Sequence, residues 1–121
     1  MLVYNNIVYN TLAAAFYQHF GQNNSITNNI FAFADGGYGT LWHDADPSFG
    51  PSTFAFQRNI VLMDARAGGV FECPYVGSSN FDFNLYFNAS QPSGLTASFP
   101  TNQTPGHCRA TFADWQQTGQ V

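Results

Sequence analysis

The stretch ITNNIFAF, residues 26–33, places two asparagines between two runs of strand-forming residues. Asparagine tolerates the left-handed backbone region that tight turns need, so the stretch by itself is compatible with a β-hairpin. The same pattern recurs at VYNNIVY (3–9), FQRNIVL (56–62) and FDFNLYF (81–87). This recurrence argues against a local hairpin and indicates a repeat.

The repeats align on their second amide position, and these anchors are Asn6, Asn29, Asn59 and Asn84. They are 23, 30 and 25 residues apart, which is typical of solenoid repeats and too long for hairpin pairing. Apolar residues flank every anchor, at one position after it (Ile7, Ile30, Ile60, Leu85) and three before it (Val3, Ile26, Phe56, Phe81). We therefore predict that the anchors stack in one column with parallel strands on both sides.

The composition favours a β-sheet protein over a helical or disordered one. Hydrophobic residues make up 45% of the chain, aromatic residues 17% and charged residues only 8%, without a single lysine. A chain of 121 residues is one domain at most. The clearest helix signal is TFADW at 111–115, where Thr111 is a candidate cap and the helix would end near Gln117.

The formal net charge of −4 and the absence of a basic run argue against nucleic acid as a partner. No apolar stretch approaches the roughly twenty residues that span a bilayer, so no membrane insertion is expected. MLVYNN at the start lacks the regions of a signal peptide, and the first repeat begins within a strand. We expect a fragment of a longer protein, with further coils and an export signal upstream, that is marginally stable or self-associating when expressed alone.

The phrases NNIFAF and TFAFQRNIV, followed by FDFNLYFNAS and TFADWQQTGQ, resemble those of right-handed parallel β-helix repeat proteins. Among these proteins the chain is most similar to the pectate-lyase-like group near polysaccharide-degrading enzymes, and the resemblance runs from Asn5 to Gln120. It is specific for the fold and not for the reaction, because β-helices host lyases, hydrolases, esterases and passive surface proteins.

The resemblance implies an all-β fold: a single partial domain over residues 1–121, with about four coils of a right-handed parallel β-helix and a short helix near the C-terminus. It also implies that a left-handed asparagine turns each coil, while stacked asparagines hydrogen-bond along the column as in cross-β stacks. Arg58 and Phe83 replace the first amide in two coils, which is harmless if only the second position carries the turn. An irregular insertion is expected at residues 100–111.

One strand of each coil carries the candidate site. Counting thirteen residues from the anchors gives His19, Trp42 and Glu72, which we expect to form a column along stacked strands. Side chains alternate across a strand, so Tyr17, Asp44 and Asp46 share this outward face. The inward face is assigned Gln18, Leu41 and Phe71, then Phe20, His43 and Cys73.

The outward face has the residue types that carbohydrate chemistry uses. Asp44 would lie diagonally from Glu72 at about 8 Å between backbones. This places their carboxyl groups within the roughly 5 to 9.5 Å separation found in glycosidases. Trp42 offers an apolar face to a sugar ring, with Tyr17 and Asp46 as further substrate contacts. The resemblance implies that a polymer binds along this sheet and that relatives often carry histidine at the position of His19.

Each candidate also has a plainer interpretation. His19 is an acid or base near neutral pH or simply a polar surface residue. His43, if inward, is a hydrogen-bonded core histidine. Asp44 and Asp46 in HDADP form an ordinary turn before proline or hold a calcium ion, and no other cofactor is expected. Glu72 acts as a general acid if partial burial raises its pKa.

Two cysteines are compatible with export. Cys73 and Cys108 either form a disulfide across 34 intervening residues or leave Cys73 as a buried thiol. Glycosylation sequons at Asn23, Asn88 and Asn102 add weak support for an extracellular or cell-surface protein.

Two classes of function remain open from the sequence. The first is a carbohydrate-active protein that cleaves glycosidic bonds, with Glu72 and Asp44 as acid and base or nucleophile, assisted by His19. The alternative is a non-catalytic structural or glycan-binding module whose aromatic residues only stack on sugars. Catalysis requires two converging carboxyl groups, whereas binding requires only aromatic and amide side chains.

Overall fold

The computed structural model describes residues 1–18, 21–35, 41–43, 53–67, 70–72, 80–91, 113, 116 and 117. This part of the chain is mostly β-strand with almost no helix, which confirms the all-β prediction. Helical backbone is present at Ala113 and Gln116, inside the predicted C-terminal helix. The predicted insertion at 100–111, Cys73, Cys108 and Asn102 lie outside the described residues.

The strands form three parallel sheets, and each sheet takes every third strand along the chain. Sheet 1 contains β1 (Leu2–Tyr4), β4 (Asn24–Thr27), β7 (Phe54–Gln57) and β10 (Asn80–Asp82). Sheet 2 contains β2 (Ile7–Tyr9), β5 (Ile30–Ala32), β8 (Ile60–Met63) and β11 (Leu85–Asn88). Sheet 3 contains β3 (Phe16–Gln18), β6 (Leu41–His43) and β9 (Phe71–Glu72). Every neighbouring pair is parallel, so hairpins at the asparagines are excluded.

The four anchor asparagines form a hydrogen-bonded ladder between sheets 1 and 2, as predicted. The backbone N–H and the Nδ2 of Asn6 both donate to Oδ1 of Asn29, each at 3.0 Å. Asn29 donates in the same way to Asn59 at 2.9 and 3.0 Å, and Asn59 donates to Asn84 at 2.9 and 3.2 Å. The backbone carbonyls of the same residues accept from the next strand of sheet 2, as in Ile60 N to Asn29 O at 2.8 Å. The ladder therefore fixes the register of both sheets.

The turn itself is made one residue earlier than predicted. In the turns between sheets 1 and 2 the left-handed residues are Asn5, Asn28, Arg58 and Phe83, with φ between 54° and 57°, and no anchor asparagine has a positive φ. The second position therefore does not carry the turn in any of the four repeats. The second amide belongs to the ladder, where its side-chain oxygen accepts hydrogen bonds from one neighbouring repeat and its side-chain nitrogen donates to the other, as at Asn59. Arg58 and Phe83 accept an unfavourable backbone region, and the Arg58 guanidinium lies 5.6 Å from the Phe83 ring centre.

The core lies between the sheets. It is built from the residues two positions after each anchor asparagine and three positions before it. Phe31 of sheet 2 stacks on Phe56 of sheet 1 with ring centres 5.8 Å apart, and Phe56 contacts Phe81 at 6.0 Å. Phe16 of sheet 3 packs on Phe31 at 5.9 Å, which joins the third sheet to the same core. Strand alternation thus places a continuous apolar column inside the molecule, since Ile26 and Val61 are also fully buried.

We expect substitutions in the ladder to be most damaging at its centre. Asn59 is buried and receives two hydrogen bonds from Asn29, so Asn59→Ala leaves the buried backbone N–H of Asn29 without an acceptor and should lower the free energy of unfolding by about 3 kcal/mol. Asn6→Ala, at the exposed end, should cost clearly less. Chemical denaturation of both variants measures the difference, and equal losses would contradict a structural role for the ladder.

The near-isosteric Asn59→Asp variant adds a pH test of the same ladder. Its carboxyl would face two acceptors, Oδ1 of Asn84 and the carbonyl of Ile26, where Asn59 now donates. Its other oxygen would keep the two hydrogen bonds from Asn29, which favour the charged form, but burial and the two acceptors oppose them and raise the folded-state pKa of the new carboxyl. Stability of this variant should therefore be highest below about pH 4 and fall as the pH rises through the folded-state pKa, relative to the parent chain.

A further prediction concerns the turn. Phe83 is 68% exposed and has φ of 55°, a region that asparagine tolerates better than phenylalanine. Phe83→Asn should raise the free energy of unfolding by about 0.5 kcal/mol, after loss of the contact with Arg58. Phe87→Asn is the matched control, because Phe87 is also exposed but lies within β11, where asparagine is unfavourable. Phe87→Asn should therefore lower the free energy of unfolding. If Phe83→Asn lowers it as well, the left-handed turn does not favour asparagine at position 83.

Candidate functional site

Sheet 3 carries the strands on which the candidate site was predicted. Tyr17 in β3 is the register partner of Trp42 in β6, and Trp42 is the partner of Glu72 in β9. The backbone thus brings an aromatic pair and the single glutamate of the chain into one row across the sheet. Neighbouring strands of a sheet are about 4.8 Å apart, so the row spans roughly 10 Å.

The predicted column of His19, Trp42 and Glu72 is wrong at its first residue, which lies two positions too far along the chain. Tyr17, and not His19, pairs with Trp42. The reason is the connection between sheets 2 and 3, which runs over residues 10–15 after β2 and over residues 33–40 after β5, two residues longer. A shift of two residues along a strand returns to the same face of the sheet. The outward direction expected of the Tyr17 side chain was therefore correct, although its predicted register partner was not.

The inward assignments shift by the same two positions. Phe16, and not Gln18, is the partner of Leu41, which in turn pairs with Phe71. Gln18 pairs with His43. Its side chain is buried, as assigned, at 3% exposure, while that of Tyr17 is 45% exposed. The described side chains of β3 therefore confirm the two faces.

The remaining candidates are only partly placed. Trp42 and Glu72 are placed by their backbone register within sheet 3. The other candidates, His19, Asp44 and Asp46, lie outside the described residues. The carboxyl pair expected from Asp44 and Glu72, and the calcium alternative at Asp44 and Asp46, therefore stay predictions.

A second polar cluster, which the sequence did not single out, lies at the end of sheet 2. Asp64 receives hydrogen bonds from Nε of Arg66 at 3.0 and 3.1 Å, and the pair is closed by a 2.9 Å contact from the second guanidinium nitrogen. These side-chain bonds hold the pKa of Asp64 below its usual value and raise that of Arg66. Arg66 also donates to Oδ1 of Asn10 at 3.0 Å, which joins the third repeat to the first.

This cluster is best explained as a surface clamp between repeats. Exposed ion pairs contribute little to stability, and both charges here are already satisfied by each other. The only sequence signal was an Asp-x-Arg spacing, which is too common to identify a site.

The described residues hold no group of three or more histidine, cysteine, aspartate or glutamate side chains arranged for a metal ion. Within the same part of the chain, no helix has the length and apolar character needed to cross a bilayer.

Comparison with known proteins gave no match to a family model, a curated protein or a solved structure. The site on sheet 3 therefore rests on its own geometry.

Proposed function

We propose that the three parallel sheets are faces of a right-handed parallel β-helix of about four coils, and that the chain is a carbohydrate-active protein of the extracellular space or cell surface. The strand order supports the fold, because each sheet takes every third strand and all neighbours are parallel. Its function would be to bind polysaccharide along sheet 3 and act on its glycosidic bonds. Its partners would be a polysaccharide or oligosaccharide and further coils of a longer chain.

The observation that carries this proposal is the row formed by Tyr17, Trp42 and Glu72. Tyr17 is exposed, so an aromatic surface is available on the sheet. Trp42 stands directly beside it in register. A sugar ring presents axial C–H groups that pack on aromatic faces, and two adjacent aromatic residues can support consecutive rings of a polymer. Glu72 follows at the next strand, where a glycosidic oxygen could receive its proton.

In the proposed cleavage, four side chains have different roles. Glu72 protonates the leaving glycosidic oxygen, while Asp44 acts as the base for water or as the nucleophile, according to the distance between the two carboxyl groups. His19 assists proton transfer, and Asp46 contributes a polar contact to the sugar. The acid needs a pKa above that of an ordinary glutamate, which partial enclosure by a bound polymer would supply.

A second candidate is a module that binds glycans without cleaving them. The specific observation in its favour is the aromatic pair of Tyr17 and Trp42, which is sufficient for binding and needs no carboxyl partner. In this case Glu72 would be a surface residue of sheet 3. The two candidates differ in one testable respect, namely whether Glu72 matters.

The test compares two substitutions in one row. Trp42→Ala should weaken oligosaccharide binding roughly fivefold, because it removes a stacking surface worth about 1 kcal/mol. Glu72→Gln should leave binding nearly unchanged but lower turnover roughly 100-fold or more, because it removes the titratable proton. Binding is measured by calorimetry, and turnover by release of sugar ends, against a panel of neutral and acidic plant and algal polysaccharides.

The matched control is Tyr9→Ala, since Tyr9 is an exposed aromatic residue on sheet 2, away from the row. It should leave binding unchanged. Turnover that persists in Glu72→Gln would remove Glu72 from the mechanism and favour the binding module. Failure of every polysaccharide to bind would exclude both candidates.

A further inference from the structure

The asparagine ladder has a direction. Each asparagine donates, through its backbone N–H and its Nδ2, to Oδ1 of the next asparagine along the chain. At one end, Oδ1 of Asn6 receives no hydrogen bond from the described residues. At the other end, the backbone N–H of Asn84 donates none within the same part of the chain. Among the described residues, the ladder thus ends in an open acceptor on one side and an open donor on the other.

The outer rows of sheet 2 are also uncovered at both ends. In the row next to the ladder, the terminal residues Ile7 and Leu85 are 73% and 58% exposed, whereas the central Ile30 and Ile60 are partly buried by their neighbours. The row two residues further along each strand of sheet 2 is likewise more exposed at its ends than in its middle. Tyr9 and Phe87 at its ends are 66% and 45% exposed, while Leu62 between them is partly buried.

We propose that these two ends are complementary interaction surfaces through which copies of this chain associate head to tail. β11 of one copy would lie parallel to β2 of the next, and the Asn84 N–H would donate to Oδ1 of Asn6 in the next copy. Leu85 would then contact Ile7, which continues the apolar row. The proposal is independent of glycan binding on sheet 3, because it uses the ends of sheets 1 and 2. It concerns association of the 121-residue chain, since further coils of a longer chain would occupy the same ends.

The direction of the ladder selects this arrangement over a two-fold dimer. Two copies meeting at their Asn6 ends would oppose acceptor to acceptor, and two meeting at their Asn84 ends would oppose donor to donor. Only the head-to-tail contact pairs a donor with an acceptor and keeps the strands parallel. Such a contact is heterologous and does not close on itself, so association should continue beyond the dimer as concentration rises.

The test uses charge at the two ends of the outer row in the full chain. Ile7→Lys and Leu85→Glu should each weaken association roughly tenfold, because each buries a lone charge against an apolar side chain. The double variant Ile7→Lys with Leu85→Glu places opposite charges in contact across the same junction and should restore association at low salt. An equimolar mixture of the two single variants should also associate, which shows that both are folded.

Sedimentation velocity over a range of concentrations measures these effects, with circular dichroism to compare strand content. Ile30→Lys is the matched control, because it places the same charge in the middle of the row and should not affect an end-to-end contact. Loss of association in Ile30→Lys would show face-to-face packing of sheet 2 and overturn the proposal. So would a parent chain that stays monomeric at all concentrations, or a double variant that fails to recover at low salt.

Discussion

A buried asparagine side chain that must satisfy its hydrogen bonds is the constraint on which this structure depends. Asn29 and Asn59 are each 1% exposed, at a depth where an unpaired amide costs about 1–3 kcal/mol. The amide solves this by bonding to its equivalent in the next repeat and to main-chain carbonyls nearby, as Asn59 does with Ile26. Every repeat must therefore present an asparagine at the same height, and the strands on both sides follow in register.

The ladder also explains why the turn beside it tolerates unsuitable residues. A left-handed conformation at Arg58 or Phe83 is unfavourable by itself, but the next residue is fixed by several hydrogen bonds and the strands are fixed by pairing. Backbone bonds also continue across the turn, as from Arg58 N to Asp82 O at 3.2 Å. Strain at one residue is thus held in place by bonds formed at its neighbours. The first of the two positions forms the turn and is asparagine in only two repeats. The second position forms the ladder and is asparagine in all four.

The arrangement has different consequences for the sides and the ends of the molecule. On the sides, in-register parallel strands place equivalent residues in rows, so a surface built from one residue per repeat can match a polymer with a repeating unit. Sheet 3 offers such a row in Tyr17, Trp42 and Glu72. At the ends, the same regularity leaves strand edges and ladder groups that fit another repeat. Both proposals follow from a repeated unit whose bonding is directed along the stack.

The sequence by itself determined the repeat, its anchors and the inner face, because the apolar positions around Asn6, Asn29, Asn59 and Asn84 recur in phase and only stacked parallel strands bury them together. It could not determine which of two adjacent residues turns, since both amides in the first two repeats are compatible with either role. It also misplaced His19, because the register of sheet 3 depends on how many residues each connection uses before its strand pairs. Tertiary structure decided that point: Phe16 packs on Phe31 in the core, and this contact aligns Tyr17 with Trp42. Local pattern fixes which residues form strands, whereas the pairing of strands from distant repeats is set by the core that they share.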